Sequence, residues 1–293
     1  ESHSASFALI AYASAYLKHH HAAAFLCALL NAQPMGFYHP ATLVKDAQRH
    51  GVRVLPISIT KSQHRCSLED ASTVRLGFSY VRGLNYEAAQ KLVTARDNKP
   101  FESVREMKQR ISLSSKDWAT LSELGVFAPL GLSRRQAVWQ LGKVQRDDPL
   151  FQREEHVPSP APIPEMNLQN RVESDYRNAG FSVGPHPMHF MRTHLNSAGV
   201  LYSALLRQLK HGHFVEVAGL VTIRQRPMTA KGILFITLED EWGFINLIVG
   251  PKLFEESRAV AVGAPAILAK GTLQSHRGTL HVKCEQIARL PLI

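Results

Sequence analysis

Cysteine is scarce: Cys27, Cys66 and Cys284 are the only three in 293 residues, odd in number and far apart. That excludes a disulfide framework and suits a reducing cytosol, so the expected location is cytoplasmic. Long apolar runs are missing too. No stretch approaches the roughly 18 residues of a membrane span. The apolar segment 7–17 is short and has no basic stretch ahead of it, so it does not read as a signal peptide. Acidic side chains are in deficit, 24 against 34 Lys and Arg, giving a net charge of +10 and a pI near 9.7. This balance favours a polyanionic partner, nucleic acid before membrane. No Gly-Lys-Ser/Thr follows Gly77 or Gly83, so neither belongs to a phosphate loop. Metal-ligand spacing is also lacking. His19, His20 and His21 are adjacent on a helical pattern and point about 100° apart. His186 and His189 have no Cys or acidic partner at matching spacing and read as structural. The chain has no initiator Met and opens inside a helical pattern, which points to a fragment whose larger N-terminal part is missing.

What is present begins with helices. Apolar residues at Phe7, Leu9, Ile10, Ala13 and Leu17 give an amphipathic helical pattern over 4–18, with Ser at its start. Residues 22–31 form a second helix and 40–50 a third, with Pro in its first turn and Gly51 after its end. Residues 52–59 are extended, but Pro56 restricts them to an edge strand or none. Residues 74–78 read as a short strand, followed by the turn Val81-Arg82-Gly83-Leu84-Asn85 and helices over 86–96, 101–110, 114–124 and 133–143. A glycine-containing turn opening a helix resembles a helix-hairpin-helix module, whose turn offers backbone N–H groups to a DNA phosphate without reading bases. Residues 74–143 carry twelve basic and six acidic side chains. Residues 147–164 hold four closely spaced prolines and read as a linker. Helices are expected over 165–179 and 202–210. No internal repeat is legible.

From Phe214 onward the pattern becomes β. Alternating, Val- and Ile-rich segments over 215–223, 233–238 and 244–249 are followed by one helix over 252–262, then strands over 265–273 and 279–287. Three strands, a helix and two strands make the order of a five-stranded OB barrel. The loop between its first two strands carries Arg224, Arg226 and Lys231, and the last loop carries His276 and Arg277. These loops flank the face on which such barrels hold single-stranded nucleic acid, and Phe235 lies on the strand beside them. Trp242 and Phe244 could stack on bases, but aromatic residues in strands more often fill cores, and Trp242 is assigned to the core.

Several blocks are more specific. Residues 1–8, 13–18 and 23–31, beginning Glu1-Ser2-His3-Ser4-Ala5-Ser6-Phe7-Ala8, resemble bacterial C-family DNA polymerases. Gln33-Pro34-Met35-Gly36-Phe37-Tyr38, Gly131-Leu132-Ser133-Arg134-Arg135-Gln136 and Phe235-Ile236-Thr237-Leu238-Glu239-Asp240-Glu241 resemble the error-prone, damage-induced branch. The resemblance covers nearly the whole chain in family order. It implies that residues 1–60 end a fingers region, that 74–143 form a tandem helix-hairpin-helix domain over duplex DNA, and that 144–164 are a linker. It further implies a helical connector over 165–212 and a DNA-binding OB domain over 213–293.

The implied activity of the parent family is DNA-directed DNA synthesis across lesions, in replication and repair, with Mg2+ held by palm aspartates that stabilise the attacking and leaving oxygens. No such cluster is legible. Asp147-Asp148 lies in the linker and residues 239–241 form a turn, so no catalytic residue, metal site or cofactor is assigned, and the chain is expected to hold DNA rather than to extend it. Two departures from the family pattern stand out. Asn85 replaces the usual second small residue of the hairpin, and Ala22 replaces a Pro. Asn tolerates a left-handed backbone, so the turn is expected to survive. Leu150 and Phe151 suit a sliding-clamp pocket, and other mutasome proteins are further implied partners. The competing readings are a stand-alone, non-catalytic binding module and a protein-interaction platform.

Overall fold

A computed structural model of the chain describes residues 2–36, 38–143, 163–276 and 278–291. It divides into two units, Glu1–Gly184 and Pro185–Ile293. The connector expected over 165–212 is therefore shared out, its first helix in one unit and the remainder in the other. Leu150, Phe151 and Asp147-Asp148 lie outside the described residues.

The first unit contains α1 (Ser2–His20), α2 (Ala22–Asn31) and α3 (Pro40–Arg49), then β1 (Arg53–Leu55), β2 (Ser67–Asp70) and β3 (Thr73–Arg75). The helices α4 (Tyr86–Asn98), α5 (Val104–Arg110), α6 (Ser115–Glu123), α7 (Arg134–Lys143) and α8 (Leu168–Ala179) follow. Starts are set by side chains that accept orphan first-turn amides. Asn85, Ser103 and Asn167 cap α4, α5 and α8, and Ser114 with Asp117 forms a reciprocal capping box on α6. Gly180, left-handed, ends α8. The small sheet has order β1-β3-β2, with β1 parallel to β3 at an edge, where Pro56 allows it. One core joins Leu26 and Leu30 of α2, Val74 of β3, Leu92 of α4, Met107 of α5 and Leu121 of α6. The apolar side chains Phe7, Leu9, Ile10, Tyr12 and Leu17 of α1 are exposed, and none of them enters that core.

The second unit is a closed barrel of β4 (Phe214–Gln225), β5 (Leu234–Glu239), β6 (Phe244–Val249), β7 (Ala266–His276) and β8 (Thr279–Arg289), in the order β4-β5-β6-β8-β7. This is the five-stranded OB arrangement. The barrel closes through a parallel pairing of β6 with β8, Asn246 opposite His281 and Ile248 opposite Lys283. Before the barrel come α9 (Arg192–Ser197) and the one-turn α10 (Ser203–Leu206), shorter than the helix expected over 202–210. The single helix expected between the third and fourth barrel strands is two, α11 (Pro251–Glu256) and α12 (Arg258–Gly263), meeting at Ser257.

Alternation gives the barrel two surfaces. Val217, Ile236, Leu238, Leu247, Ile267 and Val282 fill the inside. On the outside of β4 and β7, Ala218, Leu220, Ala266 and Leu268 pack against Met188, Met191, Leu195 and Val200. The segment that supplies those residues is stitched to the barrel by the Leu201 amide, which donates to the Glu216 carbonyl at 2.7 Å. One outer side is thus covered.

Candidate nucleic-acid interface

The open outer side of the barrel is built from β5, β6 and β8. Strand register places Gln225, Phe235, Ile248 and Lys283 in one row across the sheet, and Ile223, Thr237, Asn246 and His281 in the next. Paired residues point to the same side, so both rows face outward together. Phe235 is 36% exposed and Phe244, at the far end of the hairpin, 43%. Between them the Thr237 hydroxyl donates to Asn246 Oδ1 at 3.2 Å, and His281 Nδ1 is buried without a hydrogen-bond partner. Lys283 is exposed beside this row. Aromatic faces, amide and imidazole edges and one cation suit a polymer of bases and phosphates. Sequence reasoning alone does not single out Phe244, Asn246, His281 and Lys283 as a set. The signal that finds them is register, above all the β6–β8 closure, and no local pattern reports it.

The loop cations divide. Arg224 lies within β4 rather than in the following loop. It pairs with Ile236, whose side chain is interior, so Arg224 points toward the barrel end closed by α12. There Nε donates to the Ala261 carbonyl at 2.7 Å and Nη2 to that of Ala264, capping α12. An irregularity of register between Val221 and Ile223 sets this phase. Arg224 therefore holds the end of α12 while its side chain stays exposed. Arg226 keeps part of its surface while stacking 4.2 Å from the Phe254 ring centroid, with Glu255 at 3.9 Å. Lys231 is exposed and left-handed, φ 48°. His276 ends β7 opposite Thr279, and Arg277 lies outside the described residues.

The first unit carries the other candidate surface. Gly83 has φ 85°, Leu84 packs against the core, and Asn85 is extended, its Oδ1 accepting from the Ala88 amide at 2.8 Å. The glycine thus supplies the left-handed turn, and Asn85 serves as an extended cap instead of as a second left-handed residue. Arg82 is exposed and partly engaged. Its amide donates to the Asn178 carbonyl and Nη1 to that of Arg177, closing the end of α8.

The same device recurs. Gly131 has φ 77°, Leu132 packs against the core, and Ser133 opens α7 with its amide donating to Gln136 Oε1 at 2.8 Å. Gly-Leu-cap followed by three residues and Ala occurs at 83–89 and 131–137, a two-fold internal repeat hidden by its brevity. Arg134 and Arg135 of the second turn are also engaged, with Asp175 and the Pro164 carbonyl. Each turn therefore presents main-chain N–H groups at a helix start, where the helix dipole favours an anion.

The acidic turn at 239–241 does not fit a divalent cation. Asp240 accepts from the Ser203 amide and hydroxyl, both at 2.6 Å, and from the Trp242 and Gly243 amides at 2.9 Å. Glu241 is paired with Arg192. His186 caps its own turn by accepting from the Met188 amide. Among the described residues no three His, Cys, Asp or Glu side chains converge on a metal position, and no helix is long and apolar enough to cross a membrane.

Comparison with known proteins agrees with this geometry. A family model described as helix-hairpin-helix motif matches residues 51–137. Error-prone DNA polymerase 2 of Agrobacterium fabrum is 41% identical, the match covering 98% of this chain and 28% of that protein. The Rhizobium meliloti error-prone DNA polymerase 2 is 43% identical over the same shares, and the Rhodopirellula baltica error-prone DNA polymerase 42% identical over 96% and 26%. The chain thus spans little more than a quarter of the length of these relatives. A solved asparaginyl-tRNA synthetase from Pyrococcus horikoshii aligns at 17% identity and TM-score 0.27, covering 32% of this chain and 23% of that one. That likeness is too slight to argue from.

Proposed function

Since this chain belongs to the family of error-prone DNA polymerases, we propose that it is the DNA-binding part of such an enzyme, acting in damage-induced translesion synthesis and repair in the cytoplasm. The hairpin turns at Gly83 and Gly131 take duplex phosphates on main-chain N–H groups. The barrel face takes the single-stranded template. The observation that carries the reading is that face: exposed Phe235 and Phe244 beside Lys283, on a barrel whose other outer side is already covered. No step of nucleotidyl transfer is assigned to a residue of this chain. The sliding clamp is proposed as a partner through Leu150 and Phe151, with other mutasome proteins.

The test is titration of labelled single-stranded and primed DNA at two salt concentrations. Counterion release makes the affinity fall steeply with salt. Arg226→Ala and Lys231→Ala are each expected to flatten the single-strand slope by about 0.7 for every phosphate that the variant no longer neutralises. Salt-insensitive binding, or none, would favour a protein-interaction platform instead.

A further inference from the structure

Trp242 sits at the tip of the β5–β6 hairpin and is 46% exposed. Its indole lies on the Tyr202 ring, centroids 4.2 Å apart and planes 32° apart. Behind the pair is Arg192, its guanidinium carbon 5.3 Å from the Trp242 centroid and 5.8 Å from that of Tyr202. Arg192 in turn binds Glu241 through two parallel hydrogen bonds, Nε at 3.0 Å and Nη2 at 2.7 Å, Arg192 being buried and Glu241 partly so. Nη1 has no hydrogen-bond partner and is buried. Asp240, fully buried, holds the Trp242 and Gly243 amides on one side and Ser203 on the other. An aromatic ring that ends nearly half exposed is therefore fixed from beneath by a cation, a second ring and a carboxylate.

We propose that Trp242 is a base-stacking platform, which extends the single-strand path of the barrel beyond Phe244 by one nucleobase. This rests on the reading that the open barrel face holds single-stranded nucleic acid. Phe235 and Phe244 face outward at the two ends of the hairpin, four residue pairs or about 13 Å apart, and Trp242 lies two residues before Phe244, in the turn that joins the strands. The three exposed rings thus belong to one hairpin, Trp242 at its tip. An indole already immobilised by its neighbours loses little freedom on stacking, which favours a ligand with a flat face. The arginine behind the ring faces Trp242 and Tyr202 and does not stand in for a phosphate contact. Trp242 accordingly contributes to affinity without contributing to salt dependence.

The competing role for Trp242 is a cover over the Arg192–Glu241 pair. Oligo(dT) of about 20 nucleotides, titrated into the 293-residue chain and its variants, separates the two. Trp242→Ala and Trp242→Leu are expected to weaken binding about 5- to 100-fold, as removal of one stacked base does, with the slope of log affinity against log salt unchanged. Trp242→Phe is expected to restore most of the affinity. Oligo(dT) is further expected to quench the intrinsic fluorescence of the wild type, and the Trp242 share of this quench to be lost in Trp242→Phe, which keeps the buried Trp118 and the half-buried Trp139. Melting curves of each variant identify any that fail to fold.

If Trp242→Ala and Trp242→Leu lower the melting temperature yet bind oligo(dT) like the wild type, while Phe235→Ala loses affinity, the platform is overturned and the barrel interface stands. If the wild type binds no oligo(dT), the interface itself falls, and the platform with it.

Discussion

Arg224 and Ile236 stand opposite each other on adjacent strands, and Arg224, exposed near the end of β4, turns its guanidinium onto the carbonyls of Ala261 and Ala264. A cation that the sequence places in a DNA-binding loop thereby donates to two helix-end carbonyls. Arg224→Leu is expected to cost about 1.5–3 kcal/mol, the worth of hydrogen bonds from a charged donor, read as a lower urea midpoint. The salt dependence of DNA binding should not change, in contrast to Arg226→Ala and Lys231→Ala.

Two glycines separate backbone conformation from crowding. Gly83 is left-handed with open space around it, so Gly83→Ala meets only the backbone penalty of about 1–2 kcal/mol. At Gly271 an added Cβ would lie 2.0 Å from the Lys283 carbonyl oxygen across the β7–β8 pairing. Backbone cannot swing aside as a side chain can, and the cost there is expected at about 3 kcal/mol or more. Urea unfolding of the two variants should rank Gly271→Ala well below Gly83→Ala.

Acid should weaken the turn between β2 and β3. The Ser72 amide, then the hydroxyls of Thr73 and Ser72, hold the Asp70 carboxyl at about 2, below its ordinary 3.8. The fold prefers the ionised form, so the stabilisation is complete above about pH 4 and is lost as pH falls through about 2. Asp70→Asn should show a smaller fall in urea midpoint than the wild type across that window. An equal fall would mean that the turn does not hold the charge.

Burial pushes the Cys66 and Cys284 thiols up to about 12 and raises that of Cys27. Thiolate is the reactive form, so at about pH 8 all three should be labelled slowly by a thiol reagent in the native protein. In denaturant all three should react promptly. Fast labelling of one thiol in the native state would locate a local opening.

Much of the fold is legible in the sequence because its signals are local. Val- and Ile-rich alternation marks all five barrel strands in order, and Pro40 and Gly51 mark the ends of α3 by their own chemistry. β2 is not legible, because Ser67-Leu68-Glu69-Asp70 offers one apolar residue and no alternation, its pairing being supplied by β3. The break at Ser257 between α11 and α12 has no Pro or Gly to announce it.

The candidate site is less legible, since it depends on which strand lies beside which. Phe235 takes the outer face that its position on the strand suggests, while Arg224, on the paired strand, turns onto the end of α12. Residue type assigns Trp242 to the core, but the turn fixed by Asp240 leaves its ring at the surface. The second Gly-Leu turn is hard to see in the sequence because only a few of its positions repeat.

The segment that covers β4 and β7 makes the cylinder one-sided. A flexible polymer approaching it finds a single lane across β5, β6 and β8, with a loop at one end and the hairpin tip at the other. Oligonucleotides too short to reach from end to end would forfeit whole anchoring points at once. Affinity should consequently climb with chain length in steps and then level off, giving the barrel a minimum footprint instead of a graded appetite for charge.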